Sequence, residues 1–129
     1  MEPGARATPD DHAETNTGEP AIPSWARDGL FYGIDVSRFR DSDGDGIGDI
    51  RGLIGSLDYL HELGVTCLWL LPLARSERRD NGYDVMDYVS IDPQFGTVED
   101  FRDLTRQAHD RGMYVMTDLV VHHTSNRHP

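Results

Sequence analysis

The densest group of carboxylate side chains lies in residues 41–49, Asp-Ser-Asp-Gly-Asp-Gly-Ile-Gly-Asp. Its four carboxylates repel one another, and its glycines supply no hydrophobic core that could hold them together. A hard cation resolves both problems, because Ca²⁺ accepts about 6–8 oxygen ligands in flexible geometry. We therefore predict a site for Ca²⁺, with Mg²⁺ as the alternative, whose ligands are the carboxylates of Asp41, Asp43, Asp45 and Asp49 and the backbone carbonyl of Ile47. The competing explanation is a solvated acidic turn, which Asp and Gly also favour.

The spacing of these acids follows an EF-hand loop only in its first half. Acids occupy the first, third and fifth positions, Gly46 stands at the sharp turn, and Ile47 offers its carbonyl. The twelfth position is Gly52, where an EF-hand has a bidentate Glu. The stretch is therefore predicted to be an aspartate-only cation loop and not an EF-hand.

Strands and helices alternate around this loop. Residues 31–36 are rich in β-prone side chains, and leucines recur at helical spacing in residues 49–63. Residues 65–71 are almost continuously apolar, which is typical of a strand buried on both faces. Gly64 is predicted to end the first helix as its C-terminal cap. A second helix begins at Thr97, where Asp100 three residues on indicates a capping box, and a third apolar run covers residues 113–121.

This order of elements predicts an α/β fold with a parallel sheet. A doubly wound sheet and the opening of a (β/α)₈ (TIM) barrel both fit. No Gly-x-Gly-x-x-Gly follows the first strand, and an acidic loop would repel a pyrophosphate, so the nucleotide-binding version is disfavoured. We predict that residues 25–129 form the first three strands and two helices of a barrel. Functional groups should then gather in the loops after the strands, which are residues 41–49, 72–96 and 118–125.

The first 24 residues differ in composition from the rest. Met1 and Ile22 are their only large apolar side chains, so residues 1–24 are predicted to be a disordered tail. They lack the basic start and apolar core of a secretory signal, and no stretch approaches the roughly 18 apolar residues of a membrane span. The single cysteine, Cys67, lies in an apolar run and is expected in the core. We therefore expect a cytoplasmic protein with no membrane partner.

Charge restricts the partners further. The chain has 12 basic and 23 acidic residues and a net charge of −11. Nucleic acids need patches of Lys and Arg against their phosphates, so a nucleic-acid partner is disfavoured. The excess of acidic residues fits a protein that acts on a neutral or cationic small molecule.

Five motifs occur in order between about Trp25 and Pro129: Asp-Gly-Asp-Gly-Ile-Gly-Asp, Leu-Gly-Val-x-x-Leu-Trp-Leu-x-Pro, Asp-Asn-Gly-Tyr-Asp-Val-x-Asp-Tyr, Asp-Pro-Gln-Phe-Gly-Thr and Asp-Leu-Val-Val-x-His. In this order and at these distances they resemble the α-amylase family of glycoside hydrolases and transglycosidases. The last motif, continued by Thr-Ser and Arg-His-Pro, is most similar to trehalose synthases, with oligo-1,6-glucosidases and α-glucosidases next. The resemblance implies a (β/α)₈ barrel that acts on α-linked gluco-oligosaccharides or disaccharides such as maltose and trehalose.

The resemblance also implies roles for four residues. Asp80 corresponds to the acid that binds hydroxyls of the glucose in subsite −1, and Tyr83 to the aromatic ring beneath that sugar. His123 corresponds to the donor to the 6-hydroxyl, and Asp118 to the acid that orders the site. A carboxylate can accept hydrogen bonds from two neighbouring hydroxyls, and an aromatic face covers the C–H side of a sugar. Each residue also has a structural explanation. Asp80 could be a turn residue and Tyr83 a loop anchor. His123 could be a hydrogen-bonded structural histidine, and Asp118 a helix cap or a surface acid.

His122 departs from the family pattern, which has Asn at this position. Imidazole is a poor Ca²⁺ ligand, so a second, amylase-type Ca²⁺ site is not expected here. His122 and His123 together suggest a metal site. However, adjacent residues at a strand end point to opposite faces, so shared ligation is not expected.

The family's catalytic residues, an Asp nucleophile, a Glu acid/base and a third Asp, lie on strands that would follow residue 129. No catalytic residue is therefore predicted within this chain, and we expect it to be an inactive N-terminal part of an α-glucoside-active enzyme. The alternative is a small cation-stabilised binding module without enzymatic activity.

Overall fold

The computed structural model describes residues 20–129. Within these residues the chain forms, in order, α1 (Ser24–Arg27), β1 (Phe31–Ile34), α2 (Val36–Phe39), α3 (Ile50–Ile54), α4 (Leu57–Glu62), β2 (Cys67–Leu70), β3 (Ala74–Ser76), β4 (Val85–Ile91), α5 (Val98–Asp110) and β5 (Tyr114–Thr117). The predicted tail, residues 1–24, lies mostly outside the described part. Residues 20–23 belong to no helix or strand, and Ser24 is the first residue of α1.

A three-stranded parallel sheet, in the order β1-β2-β5, is the centre of the fold. In register, Phe31 pairs with Cys67, which in turn pairs with Tyr114. The predicted parallel α/β arrangement is therefore confirmed. Leu68 is fully buried, whereas Trp69 on the opposite face is 43% exposed. The expectation that this strand is buried on both faces is therefore wrong at Trp69.

The first strand is shorter than predicted. It ends at Ile34, and the side chain of Asp35 accepts a hydrogen bond from Ser37 N at the start of α2. This short helix turns the chain toward the acidic loop. Gly48 lies against the same turn, where a Cβ on it would be 2.0 Å from the Val36 carbonyl oxygen.

The helix predicted over residues 49–63 is divided into α3 and α4. Gly55 and Ser56 separate the two helices, and the Ser56 hydroxyl donates to the Gly52 carbonyl oxygen at 3.0 Å. Gly64 follows α4 with a φ of 89°, a left-handed conformation that glycine adopts at low cost. The predicted stop is therefore confirmed.

The second predicted helix, α5, begins with the expected capping box. The hydroxyl of Thr97 accepts from Asp100 N at 3.1 Å, and the Asp100 carboxylate accepts from Thr97 N at 2.8 Å. Arg51 of α3 donates to the same carboxylate at 2.9 Å, which ties the two helices together.

The helices pack on the parallel sheet in one hydrophobic core. Cys67 is fully buried, as predicted. The buried core residues are Ile34, Val36, Ile50, Leu53, Leu57, Leu60, Val65, Leu68, Leu70, Leu73, Phe95, Leu104, Ala108 and Met113.

The segment expected to be a long loop, residues 72–96, contains a second sheet. Strands β3 and β4 pair antiparallel, with irregular register on both sides of Arg75. None of the helices in residues 20–129 has the length and apolar character needed to cross a membrane.

Candidate functional site

A carboxylate, an indole and a phenol meet at the carboxyl-terminal edge of the parallel sheet. Asp118 directly follows β5, and its Oδ1 accepts a hydrogen bond from Trp69 Nε1 at 2.6 Å. Its Oδ2 accepts from the Tyr83 hydroxyl at 2.5 Å. Trp69 lies in β2, and Tyr83 lies two residues before β4. These three residues, here called the Asp118 cluster, join three separate elements and fix the direction of the carboxylate.

The Asp118 cluster also controls the protonation of Tyr83. The hydrogen bond to Asp118 raises the pKa of Tyr83, and burial and the negative charges of Asp118 and Asp80 raise it further. A phenolate would lose its bond to Asp118 and meet two carboxylates. Tyr83 is protonated at neutral pH in any case, and the raised pKa extends the pH range over which its hydroxyl donates to Asp118.

Asp80 opens the turn that carries Tyr83. Its Oδ1 accepts from Asp84 N at 2.8 Å. Asn81 and Gly82 have φ values of 63° and 98°, conformations that Asn and Gly tolerate. The structural role foreseen for Asp80 is thus present, and the residue is also exposed to solvent.

Residues 118–123 leave the sheet and contact the second strand pair through Tyr88 of β4. The Tyr88 hydroxyl lies 2.6 Å from the Val120 carbonyl oxygen and 3.2 Å from that of His123. Tyr88 therefore fixes the course of the segment that joins Asp118 to His123. Tyr83, Asp118 and residues 119–123 line one surface depression.

His122 and His123 lie side by side on this segment. Their Nδ1 atoms are 2.5 Å apart, and their ring centroids are 4.3 Å apart. The expectation that they point to opposite faces is wrong, because it assumed strand geometry and β5 ends at Thr117. Both side chains are exposed.

The acidic loop follows α2 and is organised by Asp41. Its carboxylate accepts hydrogen bonds from the backbone N–H groups of Asp43, Gly44 and Gly46 at 3.0, 2.7 and 2.8 Å. The bonds from Gly46 and Gly44 are the main cause that lowers the pKa of Asp41. Gly44 and Gly46 both have positive φ, so the turn around this carboxylate requires glycine.

Asp49 closes the acidic loop and starts α3. Its Oδ1 accepts from Gly52 N at 2.7 Å, and its Oδ2 accepts from Ser42 N at 2.8 Å. Burial opposes ionisation of Asp49, but the hydrogen bonds from Ser42 and Gly52 outweigh it and lower the pKa. Asp49 is thus a helix cap as well as a candidate ligand.

Three of the predicted metal ligands converge. Carboxylate oxygens of Asp41, Asp43 and Asp49 lie within 4.8 Å of one another. Asp45 is not part of this group, and its Oδ1 accepts from Ile47 N at 2.7 Å. The carboxylates that converge are hard oxygen donors, which suit Ca²⁺ or Mg²⁺.

Two residues of the site were not singled out from the sequence. Trp69 carried a usable signal, because an indole N–H within an apolar strand needs an acceptor and Asp118 lies directly after a neighbouring strand. Tyr88 carried none, because its contacts depend on the β3–β4 pair.

Comparison with known proteins identifies the family. The family model described as alpha amylase, catalytic domain, matches residues 34–129. The chain belongs to this family. The α-amylase catalytic domain is a (β/α)₈ barrel, and the parallel sheet of this chain is a portion of one. The predicted family and fold class are therefore confirmed.

Several named enzymes of the α-amylase family are similar to this chain. Trehalose synthase/amylase TreS of Mycobacterium tuberculosis is 50% identical over 110 residues, which cover 85% of this chain and 18% of that protein. Oligo-1,6-glucosidase of Bacillus cereus is 50% identical over 104 residues, which cover 81% and 19%. The crystal structure of trehalose-6-phosphate hydrolase from Bacillus licheniformis matches with a TM-score of 0.80 and 47% identity, covering 83% of this chain and 19% of that one. The chain thus spans less than a fifth of the length of these relatives.

Proposed function

We propose that this chain forms part of the sugar-binding site of a retaining α-glucosidase or glucosyltransferase. The observation that carries the proposal is the Asp118 cluster, in which Trp69 and Tyr83 hold both oxygens of one carboxylate at the carboxyl-terminal edge of a parallel sheet. In barrels of this type, active sites lie at that edge. The family match over residues 34–129 supports the same assignment.

Within this site each residue has a task that its chemistry suits. Tyr83 presents its ring to the sugar while its hydroxyl holds Asp118. The exposed carboxylate of Asp80 accepts from sugar hydroxyls with the oxygen that the turn leaves free. His123 donates to the 6-hydroxyl from the segment that Tyr88 holds in place. These residues bind and orient the ring, and do not break the bond.

Bond cleavage needs a further pair of carboxyls. Retaining enzymes place two carboxyl groups about 5–5.5 Å apart, one as nucleophile and one as acid/base. Asp118 is not assigned to either role, because both of its oxygens are occupied by Trp69 and Tyr83. We place the catalytic pair on other strands of the barrel, in agreement with the resemblance.

The preferred substrates in this proposal are maltose and trehalose. The names of these relatives refer to trehalose, a phosphorylated trehalose and 1,6-linked glucosides. Binding is tested by following tryptophan fluorescence and backbone NMR shifts during titration with maltose, with trehalose, and with β-linked cellobiose as control. We expect the α-linked sugars to shift signals of the Asp118 cluster, and Tyr83→Ala to abolish the shifts. The matched control Tyr59→Ala, at a side chain 59% exposed on α4, should leave them intact. Equal shifts with cellobiose, or sugar binding unaffected by Tyr83→Ala, would contradict the proposal.

Activity of the chain by itself provides a second test. We expect no release of glucose from maltose by the purified 129-residue chain. Release that Asp80→Ala abolishes would refute the assignment of the catalytic pair to other strands.

We also propose that the acidic loop binds Ca²⁺, with Mg²⁺ as the alternative. The donor set fits such an ion, since three carboxylates converge within 4.8 Å and offer only oxygen. Asp41, Asp43 and Asp49 would hold it, and Asp45 and the Ile47 carbonyl complete the predicted ligand set. The ion would offset the loop's negative charge and brace the end of the sheet, and it would take no part in bond cleavage.

The metal proposal predicts stabilisation by Ca²⁺. An ion at 100 times its dissociation constant stabilises a protein by about 2.7 kcal/mol. We expect CaCl₂ to raise the unfolding midpoint and Asp41→Asn to remove the increase. Asp45→Asn tests whether the ligand set extends beyond the three converging carboxylates. An unfolding midpoint that does not respond to Ca²⁺ or Mg²⁺ would exclude the site.

A further inference from the structure

We propose that His122 and His123 form a binding site for a divalent transition-metal ion of the Zn²⁺, Cu²⁺ or Ni²⁺ type. Their Nδ1 atoms are 2.5 Å apart, and the two rings are inclined at 37°. Both side chains are exposed, so an ion reaches them directly from solvent. Imidazole nitrogens are donors that such ions favour, and here two of them face one another.

The geometry requires only a small opening of the histidine pair. Metal–imidazole bonds are about 2.0–2.1 Å long, so two nitrogens on one tetrahedral ion lie roughly 3.3 Å apart. The Nδ1 atoms therefore need to separate by somewhat less than about 1 Å, which rotation of two exposed side chains provides. Each neutral imidazole carries one N–H. A ring that donates from Nδ1 to its neighbour moves that proton to Nε2, which leaves both Nδ1 lone pairs for the ion.

The ligand count determines what kind of site this is. In residues 20–129, no third His, Cys, Asp or Glu is grouped with the pair at ligand distance. Water would complete the coordination, so the site is weaker than a structural zinc site with four protein ligands. It differs in chemistry from the acidic loop, whose donors are all oxygen. The two sites should therefore separate metals by type, hard cations at the loop and transition metals at the histidines.

The location of the pair gives it a consequence for sugar binding, and this step rests on the proposed function. His122 and His123 line the same depression as Tyr83 and Asp118. A hydrated ion on His123 Nδ1 fills part of that depression and fixes the orientation of the ring assigned to the sugar's 6-hydroxyl. Metal and sugar should then compete.

Ring NMR signals of the histidines in the full chain test the site. On titration with CuCl₂ below one equivalent, the ring signals of His122 and His123 should broaden before those of His61 and His128. His122→Asn should weaken binding by at least about tenfold, the lower limit seen when only the supporting partners of a metal ligand are lost. The matched control His61→Asn, on exposed helix α4, should bind as the unchanged protein does.

Unchanged Cu²⁺ affinity in His122→Asn, or equal losses in His122→Asn and His61→Asn, would overturn the site. Asp41→Asn should leave Cu²⁺ binding unchanged, and a loss there would assign the ion to the acidic loop instead. Titration of maltose with and without ZnCl₂ tests the link to sugar binding. Zinc binding that leaves maltose affinity unchanged would support the metal site and refute competition. Zinc binding in a protein that binds no maltose would support the metal site while contradicting the proposed function.

Discussion

Replacing Tyr83 by Phe removes one hydroxyl and leaves the ring in place. This hydroxyl donates to Asp118 Oδ2 at 2.5 Å, and hydrogen bonds to charged groups contribute about 1.5–3 kcal/mol. Tyr83 is half-buried, and Asp118 keeps Trp69 as a donor, so no charge is left without a partner. We therefore expect Tyr83→Phe to lower the free energy of unfolding by roughly 1–2 kcal/mol, near the lower limit of that range.

The effect of Tyr83→Phe should depend on pH in a defined direction. The hydrogen bond to Asp118, followed by burial and nearby negative charge, raises the pKa of Tyr83 in the folded protein. A raised pKa contributes stability that is fully present below the unfolded pKa, which is about 10 for Tyr, and that is lost as pH rises through the folded pKa. The difference in the free energy of unfolding between the unchanged protein and Tyr83→Phe should thus be constant near neutral pH and should shrink above about pH 10.

Urea unfolding followed by tryptophan fluorescence measures this difference, because the indole of Trp69 is part of the cluster. The control is Tyr59→Phe, whose side chain is 59% exposed. The reasoning is refuted if Tyr83→Phe changes stability no more than Tyr59→Phe. It is also refuted if the loss persists undiminished above pH 10.5, a limit set about half a unit above the usual pKa of Tyr.

Three further substitutions test the fold, each by its urea midpoint. Asp100→Asn should lower the free energy of unfolding by about 1 kcal/mol at pH 7, since Asp100 closes a capping box. Because hydrogen bonds lower the pKa of Asp100 in the folded protein, this difference should vanish as pH falls below about 4. Gly48→Ala places a Cβ 2.0 Å from the Val36 carbonyl oxygen and should lower the free energy of unfolding by at least about 1–3 kcal/mol. The control is Gly55→Ala, whose Cβ would have its nearest contact at 3.6 Å and which should leave stability unchanged or raise it. Leu104→Ala removes a fully buried side chain and should cost about 2–5 kcal/mol; a cost below 1 kcal/mol would show that the α5 core is not packed as described.

The sequence predicted the features that depend on neighbouring residues. The capping box of Thr97 and Asp100 spans four positions, and Gly64 ends its helix by its own backbone freedom. Apolar residues alternate between the spacing of a strand and the spacing of a helix along the chain. This alternation was sufficient to predict a parallel α/β sheet. The motif order was sufficient to identify the family.

Errors occurred where tertiary contacts override local preference. The leucine pattern ran through Gly55 and Ser56, but the first helix ends there and a new helix begins. The β3–β4 pair was missed because β3 has three residues and its register is irregular, so it has little period-two signal.

For the site, the sequence supplied the residue types, and the tertiary structure decided which of them meet. Asp118 contacts Trp69 and Tyr83, which are 49 and 35 positions away, because parallel pairing brings strand ends to one edge. His122 and His123 came side by side because the chain leaves the sheet after Thr117 and loses the alternation of a strand. The sequence therefore determined which chemistry is available to this protein. Only the fold determined which groups act together, because their contacts depend on the paths of separate segments and not on spacing along one.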